Sequence, residues 1–421
     1  MRHANILLTV EGAENVHDST LAGQSGPGIP YPIGKRCAMK QFSAIGAVTL
    51  ALLWCCVTVF AQANPPTAPS AGQGAAPART HYWWRDQAPG AGRGAPNPNA
   101  LKMPLISVKG NRFVDPDGKP VLFRGLAISD PDKLEMQGHW NKDHFVKVKE
   151  MGTTLLRIPV HPVAWRERGG VEYIKLLDQA VEWATDLGMY VMIDWHSIGN
   201  MTTGVYQDPM YDTTKEETYG FWRAMSRRYG HNNTVAFFEL FNEPAAFGRV
   251  SWDEWKTIVE DEIAVIRANT QQVIPMVAGF DWAYDLTPLR LNPIAAEGIG
   301  YTVHPYSNKR TQPWEPKWEE DFGFAAAKYP LMATEFGGFA APGTPIPTAP
   351  TAPPAGRGGF GNSATLAAYG PAIIKYLEGK NISWTVWCFD PEWGPTLISD
   401  WNYTLNPSGQ FAKAAMHGEI K

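Results

Sequence analysis

Residues 154–196 read TLLRIPVHPVAWRERGGVEYIKLLDQAVEWATDLGMYVMIDWH. The stretch opens and closes on short apolar, β-branched runs, residues 154–159 and 189–194. Between them Ile174, Leu177, Val181 and Ala184 recur at three- and four-residue spacing, which puts them on one face of a helix over 173–187. A strand, an amphipathic helix and a second strand in succession form a βαβ unit, whose parallel strands need a covering crossover.

The unit recurs on both sides. Strand-like runs lie at 121–127, 236–241, 273–278, 299–303, 331–334 and 382–388, and helical patterns at 214–229 and 252–269. Eight strands alternating with helices predict an α/β chain folded as a single (β/α)8 TIM barrel. A doubly wound open sheet would carry a Gly-rich phosphate turn after its first strand, and Arg124-Gly125-Leu126-Ala127 is not one. Ahead of the first barrel strand, residues 106–125 alternate around the Asp117-Gly118 turn signal and predict an N-terminal β-hairpin.

Composition bounds the function. The 421 residues are 44% hydrophobic and 19% charged, enough for one large domain with a sizeable core. Lys and Arg total 37 against 41 Asp and Glu, a net charge of −4, so the basic excess that binds phosphate backbones is missing and no nucleic-acid partner is expected. Seventeen Trp suggest stacking surfaces as well as core.

The N-terminus reads as a leader. Residues 42–61 are uncharged and mostly apolar, follow Lys35, Arg36 and Lys40, and end in Ala61-Gln62-Ala63. A start at Met39 with cleavage after Ala63 makes residues 1–63 a signal-peptide region and the protein secreted, periplasmic or extracellular. An uncleaved anchor is the alternative, since about 20 apolar residues span a bilayer, and only then is a membrane a partner. Residues 64–103, rich in Pro, Ala and Gly, read as a linker interrupted by aromatic residues at 82–84. Residues 104–421 are the expected barrel, with a flexible Pro/Gly/Ala insertion at 340–362 after the seventh strand. Past the leader only Cys388 remains, so no internal disulfide is expected.

Barrel enzymes place their chemistry at the C-terminal strand ends. Strand two ends in Arg157, strand three in Asp194-Trp195-His196, strand four in Asn242-Glu243-Pro244. Strand six ends in His304-Pro305-Tyr306, strand seven in Glu335 and strand eight in Trp387. Two carboxylates facing one cleft beside an Arg suit glycoside hydrolysis, in which one carboxyl donates a proton and the other attacks or supports the anomeric carbon. Glu335 is expected to be the nucleophile, because Arg157 and Tyr306 can both reach it and favour its charged form. Glu243 is expected to be the acid/base, Asn242 to bond the sugar's 2-hydroxyl and Trp387 to offer its face to a sugar ring. Trp140, Trp165, Trp195, Trp282, Trp314 and Trp393 are candidates for outer subsites, none of which beats ordinary packing.

The chain resembles the family 5 glycoside hydrolases, the cellulase-type retaining (β/α)8 glycosidases, over residues 104–418. Glu243 in Asn-Glu-Pro matches their acid/base and Glu335 in Thr-Glu-Phe-Gly their nucleophile. Arg157, His196, Asn242, His304, Tyr306 and Trp387 match the rest of the active-site set in strand order. The resemblance implies retention through a glycosyl-enzyme, a hairpin that closes the barrel bottom, and no metal or organic cofactor. The expected protein is a secreted, monomeric, retaining endo-β-1,4-glucanase acting on a β-linked polysaccharide or oligosaccharide. The alternative keeps the mechanism on β-mannan, xyloglucan or mixed-linkage glucan. A non-catalytic glycan-binding barrel is disfavoured because both Glu are present.

Overall fold

A computed structural model describes residues 103–245, 250–345 and 363–420. The leader, the linker up to residue 102 and residues 346–362 of the insertion lie outside the described residues. Strands β1 (Ser107–Lys109) and β2 (Arg112–Val114) form the N-terminal antiparallel hairpin. Its tight turn uses Gly110 at φ +59°, a left-handed conformation that glycine adopts without steric cost.

Eight parallel strands then close into a barrel: β3 (Arg124–Ala127), β4 (Leu155–Val160), β5 (Tyr190–Trp195), and, after two short strands β6 (Ile198–Asn200) and β7 (Val205–Tyr206), β8 (Val235–Glu239). The short β9 (Glu243–Pro244) follows, then β10 (Ile274–Ala278), β11 (Gly300–Val303), β12 (Leu331–Ala333) and β13 (Ser383–Val386), which pairs back with β3. All eight expected barrel strands are present. The first starts later than its hydrophobic run, because Val121 N–H bonds Phe113 O at 2.9 Å and Phe123 N–H bonds Ser383 Oγ at 3.0 Å before regular pairing begins. The expected amphipathic helices are Gly170–Asp186, Lys215–Tyr229 and Trp252–Arg267. One crossover departs from the ideal alternation. Between β10 and β11 the described chain has only the short segment Phe280–Ala283 and the 3-10 turn Thr287–Arg290, in a stretch broken by Pro288 and Pro293.

The two-residue period of a strand sorts its side chains. On β4 and β5, Leu156, Ile158, Val160, Val191, Ile193 and Trp195 face the helices in the main outer core. The alternate residues Leu155 and Met192, with Phe237, Ile274, Met276 and Met332 from other strands, fill the lower barrel together with Ile106, Phe113 and Phe123. The hairpin therefore plugs the barrel floor. Phe113 meets Phe237 and Phe123 edge-on at centroid distances of 5.0 and 6.2 Å. Phe113→Ala should cost about 3–5 kcal/mol, the range for emptying a buried aromatic site, measurable by urea unfolding. A loss under about 1 kcal/mol would mean that the hairpin only decorates the floor.

Candidate active site

One period above that apolar floor, the same inward rows turn polar. On β4, β5 and β8 the next inward residues are Arg157, Asp194 and Glu239, all fully buried. Arg157 is the hub. Its Nε donates to Glu239 Oε2 at 2.6 Å, Nη1 to Glu335 Oε2 at 3.1 Å and Nη2 to Asn242 Oδ1 at 2.6 Å, and Nη2 lies 3.0 Å from Asp194 Oδ2. Burial opposes its charge, but the Asp194, Glu239 and Glu335 carboxylates outweigh it and push the guanidinium further up. Burial would raise Glu239 too, yet Arg157, His304 and Thr334 hold it down at about 2.

Glu335 follows β12 and is 7% exposed. Tyr306 Oη donates to its Oε1 at 2.8 Å. Both expected contacts to Glu335 are thus present, but they do not set the net direction. Burial raises its pKa; His304, Arg157 and Tyr306 oppose, Glu243 adds, and the balance stays upward. Arg157 and Tyr306 do favour the charged form as expected, and burial, which the sequence does not show, acts against them.

Glu243 stands past the end of β8, in a small sheet above the barrel. There β9 pairs in parallel with β6, which pairs antiparallel with β7. Asn242 N–H bonds Trp195 O and Glu243 N–H bonds Ser197 O, each at 3.0 Å. Gly199 permits the close approach: a Cβ there would lie 2.4 Å from the Tyr206 ring and 2.6 Å from Val205 O. A carboxylate oxygen of Glu243, one of Glu335 and a ring nitrogen of His304 lie within 4.8 Å of one another.

The remaining expected residues converge on these two carboxylates. His304 Nδ1 is 2.9 Å from Glu243 Oε1, and its Nε2 is 3.2 Å from Thr334 Oγ1. Burial alone would lower His304, but Glu335, Glu239 and Glu243 together raise it to about 9. His196 is pushed well below its ordinary value by burial and by His161, Arg157 and His304, and its Nδ1 lies 2.6 Å from Asp194 Oδ2. Asn242 spends its Oδ1 on Arg157, and its Nδ2 has no partner among the described residues, which leaves a donor for a hydroxyl. Trp387 is 6% exposed, with its ring parallel to His196 at 5.2 Å and to Trp393 at 6.2 Å.

Of the outer tryptophans, Trp140, Trp165, Trp195 and Trp314 pack in or against the core. Trp393 is half-buried beside Trp387, and Trp282 is half-buried, with its Nε1 donating to Gln207 Oε1 at 3.1 Å. Asp194 and Glu239 belong to the site although the strand-end pattern assigns neither of them a role. Their sequence signal is a lone carboxylate near the end of an otherwise apolar strand, YVMIDW and VAFFE.

A closed parallel barrel whose fourth and seventh strands deliver a glutamate pair to an Arg, two His and a Tyr is the arrangement against which known proteins can be compared. The family description that matches residues 114–392 is Cellulase (glycosyl hydrolase family 5). The chain belongs to glycosyl hydrolase family 5. A β-glucanase of Saccharophagus degradans, solved in its native form, is 43% identical, with 76% of this chain and 95% of that chain covered at TM-score 0.69. The same enzyme is also solved in complex with cellotetraose, at 42% identity and TM-score 0.68. An endoglucanase of Clostridium saccharobutylicum is 26% identical over 331 residues, 74% of this chain and 65% of the relative. The chain thus spans less than two thirds of that relative, and 56% of an Evansella cellulosilytica endoglucanase.

In this family 5 barrel, His304 makes stability depend on pH. Its folded value of about 9 lies above the ordinary 6.5, so its contribution is complete below about 6.5 and is lost as pH rises through about 9. The thermal midpoint should decline over that window, and His304→Gln should flatten the decline. An equal slope in the variant would contradict the assignment.

Proposed function

We propose that the protein is an exported, retaining endo-β-1,4-glucanase in which Glu335 attacks the anomeric carbon and Glu243 is the acid/base. The observation that carries this reading is the pair of carboxylates within 4.8 Å of one another, Glu335 held by Arg157 and Tyr306 and Glu243 by His304. Retaining glycosidases set their carboxyl groups about 5–5.5 Å apart, whereas inverting ones leave about 6.5–9.5 Å for a water.

In the first step Glu335 Oε forms a bond to the anomeric carbon as the glycosidic bond breaks, and Glu243 gives its proton to the leaving oxygen. In the second, Glu243 takes a proton from water, whose oxygen displaces Glu335. Asn242 Nδ2 supplies a hydroxyl contact next to that carbon, and Trp387 a face for the sugar. The β-glucanase and endoglucanase relatives support a β-glucan substrate. The leader supports export, and N-terminal sequencing of the native protein should find residue 64 first. Among the described residues no helix is long and apolar enough to cross a membrane.

The test is reducing-sugar release by residues 64–421 from carboxymethyl cellulose, barley β-glucan, xyloglucan, glucomannan, galactomannan and xylan, with viscosity followed in parallel. Highest rates on the glucans, with viscosity falling before much sugar appears, are expected. Activity confined to mannans would keep the mechanism and overturn the substrate. No activity on any polymer would overturn the endo-acting reading.

A further inference from the structure

The buried carboxylate Glu239 touches neither of the two reacting carboxylates, yet it is joined to Glu243 by an unbroken chain of hydrogen bonds. Thr334 Oγ1 donates to Glu239 Oε1 at 2.5 Å, His304 Nε2 lies 3.2 Å from Thr334 Oγ1, and His304 Nδ1 lies 2.9 Å from Glu243 Oε1. Glu239, Thr334 and His304 are all fully buried.

The proton count along this chain leaves two states of the His304 ring, and the charge beside it selects between them. A threonine hydroxyl has a single hydrogen, and here Glu239 receives it. Thr334 can then only accept from His304, so Nε2 carries a hydrogen. Nδ1 carries one as well only when the ring is the imidazolium. Glu239 Oε1, 3.8 Å from His304 Nε2, is the counter-charge that makes the imidazolium tolerable in a buried site. A neutral ring locked as Nε2–H would instead present a bare Nδ1, which accepts the Glu243 proton and turns it away from the substrate.

We propose that Thr334 and Glu239 are positioning residues that hold His304 as an imidazolium, whose Nδ1–H bonds Glu243 Oε1 and leaves Glu243 Oε2 to carry the proton delivered to the leaving oxygen. This rests on the reading of Glu243 as the acid/base. The bookkeeping is closed: Glu243 Oε2–H breaks, the leaving oxygen gains that proton, and the carboxylate left behind keeps its bond from Nδ1–H. The same Nδ1–H bond favours the carboxylate that Glu243 becomes as its proton leaves.

Other charges face the pair. Arg157 and Glu335 lie beside it from β4 and the end of β12, and Asp194 and His196 act on His304 from β5. Tyr306, Tyr211 and Lys309 act on Glu243 from the loops above the barrel. A Thr334 substitution replaces none of these charged groups, so the change it makes enters through Glu239 and His304, the two partners of its hydroxyl.

Thr334→Val keeps the shape and removes both the acceptor for Nε2–H and the donor to Glu239. Its kcat/KM for cellotetraose should fall about tenfold, and the basic limb of the profile should move to higher pH by at least about half a unit. An activated 2,4-dinitrophenyl cellobioside, whose leaving group needs no proton, should change less than about twofold in kcat/KM. Thr334→Ser should restore all three readouts. The ring state is read without activity: ¹⁵N NMR of the 421-residue chain, with His304 assigned by difference from His304→Gln, should show both ring nitrogens protonated at pH 7. In Thr334→Val one proton should be lost at lower pH. An equal fall on both substrates with an unmoved limb, or a neutral His304 in the wild type, overturns the proposal. Undiminished hydrolysis by Glu243→Ala overturns instead the acid/base reading beneath it, whatever the ring spectrum shows.

Discussion

Glu335→Ala is expected to lose at least about 10⁴-fold in kcat on β-glucan while remaining folded, because it removes the attacking oxygen and leaves the proton donor in place. Stability should be equal or slightly higher. Burial raises the pKa of Glu335, so above that value the folded state carries the charge at a cost that the unfolded chain avoids. Removing the carboxylate relieves that cost, and Arg157 keeps Glu239, Asp194 and Asn242 as partners. Circular dichroism and the unfolding midpoint should match the wild type. Activity within about tenfold of wild type, after contamination is excluded, would remove Glu335 from the reaction.

Arg157→Met should have the largest effect on stability. The guanidinium is fully buried and contacts three carboxylates at 2.6, 3.0 and 3.1 Å. Deleting one member of a buried ion cluster leaves uncompensated charge and costs about 3–5 kcal/mol. The sign of its pH dependence follows from the same contacts. Without Arg157 the remaining acids take up protons more readily in the folded state, so folding of the variant is favoured as pH falls. The gap between variant and wild-type unfolding midpoints should therefore narrow from pH 8 to pH 5. Denaturant titrations at both values decide it, and a gap that widens towards acid would contradict the charge assignment.

The barrel was legible because a strand buried on both faces shows as a continuous apolar run, and eight such runs recur with helical or loop segments between them. The crossover from β10 to β11 was less so. Strand-end spacing does not reveal that residues 279–298 forgo a long helix, and the left-handed backbone at Asp281, Trp282 and Ala283 has no signal in those residue types. The eight expected site residues do meet in space: seven lie just past a strand end, and Arg157 points inward from within β4 (Leu155–Val160). Glu239 was missed for a physical reason: it closes β8, but the apolar run continues through Leu240 and Phe241, so the carboxylate reads as an interruption of a longer strand, and only the barrel's inward row brings it to Arg157. The direction of Glu335 was likewise out of reach, because sequence supplies the partners of a carboxylate and not the depth at which it is buried. Several Trp offered as subsites proved to be packing, which large aromatics next to helices favour by default.

The most direct test of the account is proton NMR of the anomeric signals during the first minutes of cellotetraose hydrolysis. Two displacements at one carbon, by Glu335 and then by water, predict that the β-anomer of the product appears first and the α-anomer only as mutarotation proceeds. Initial release of the α-anomer would mean a single displacement by water and would contradict the glycosyl-enzyme on Glu335.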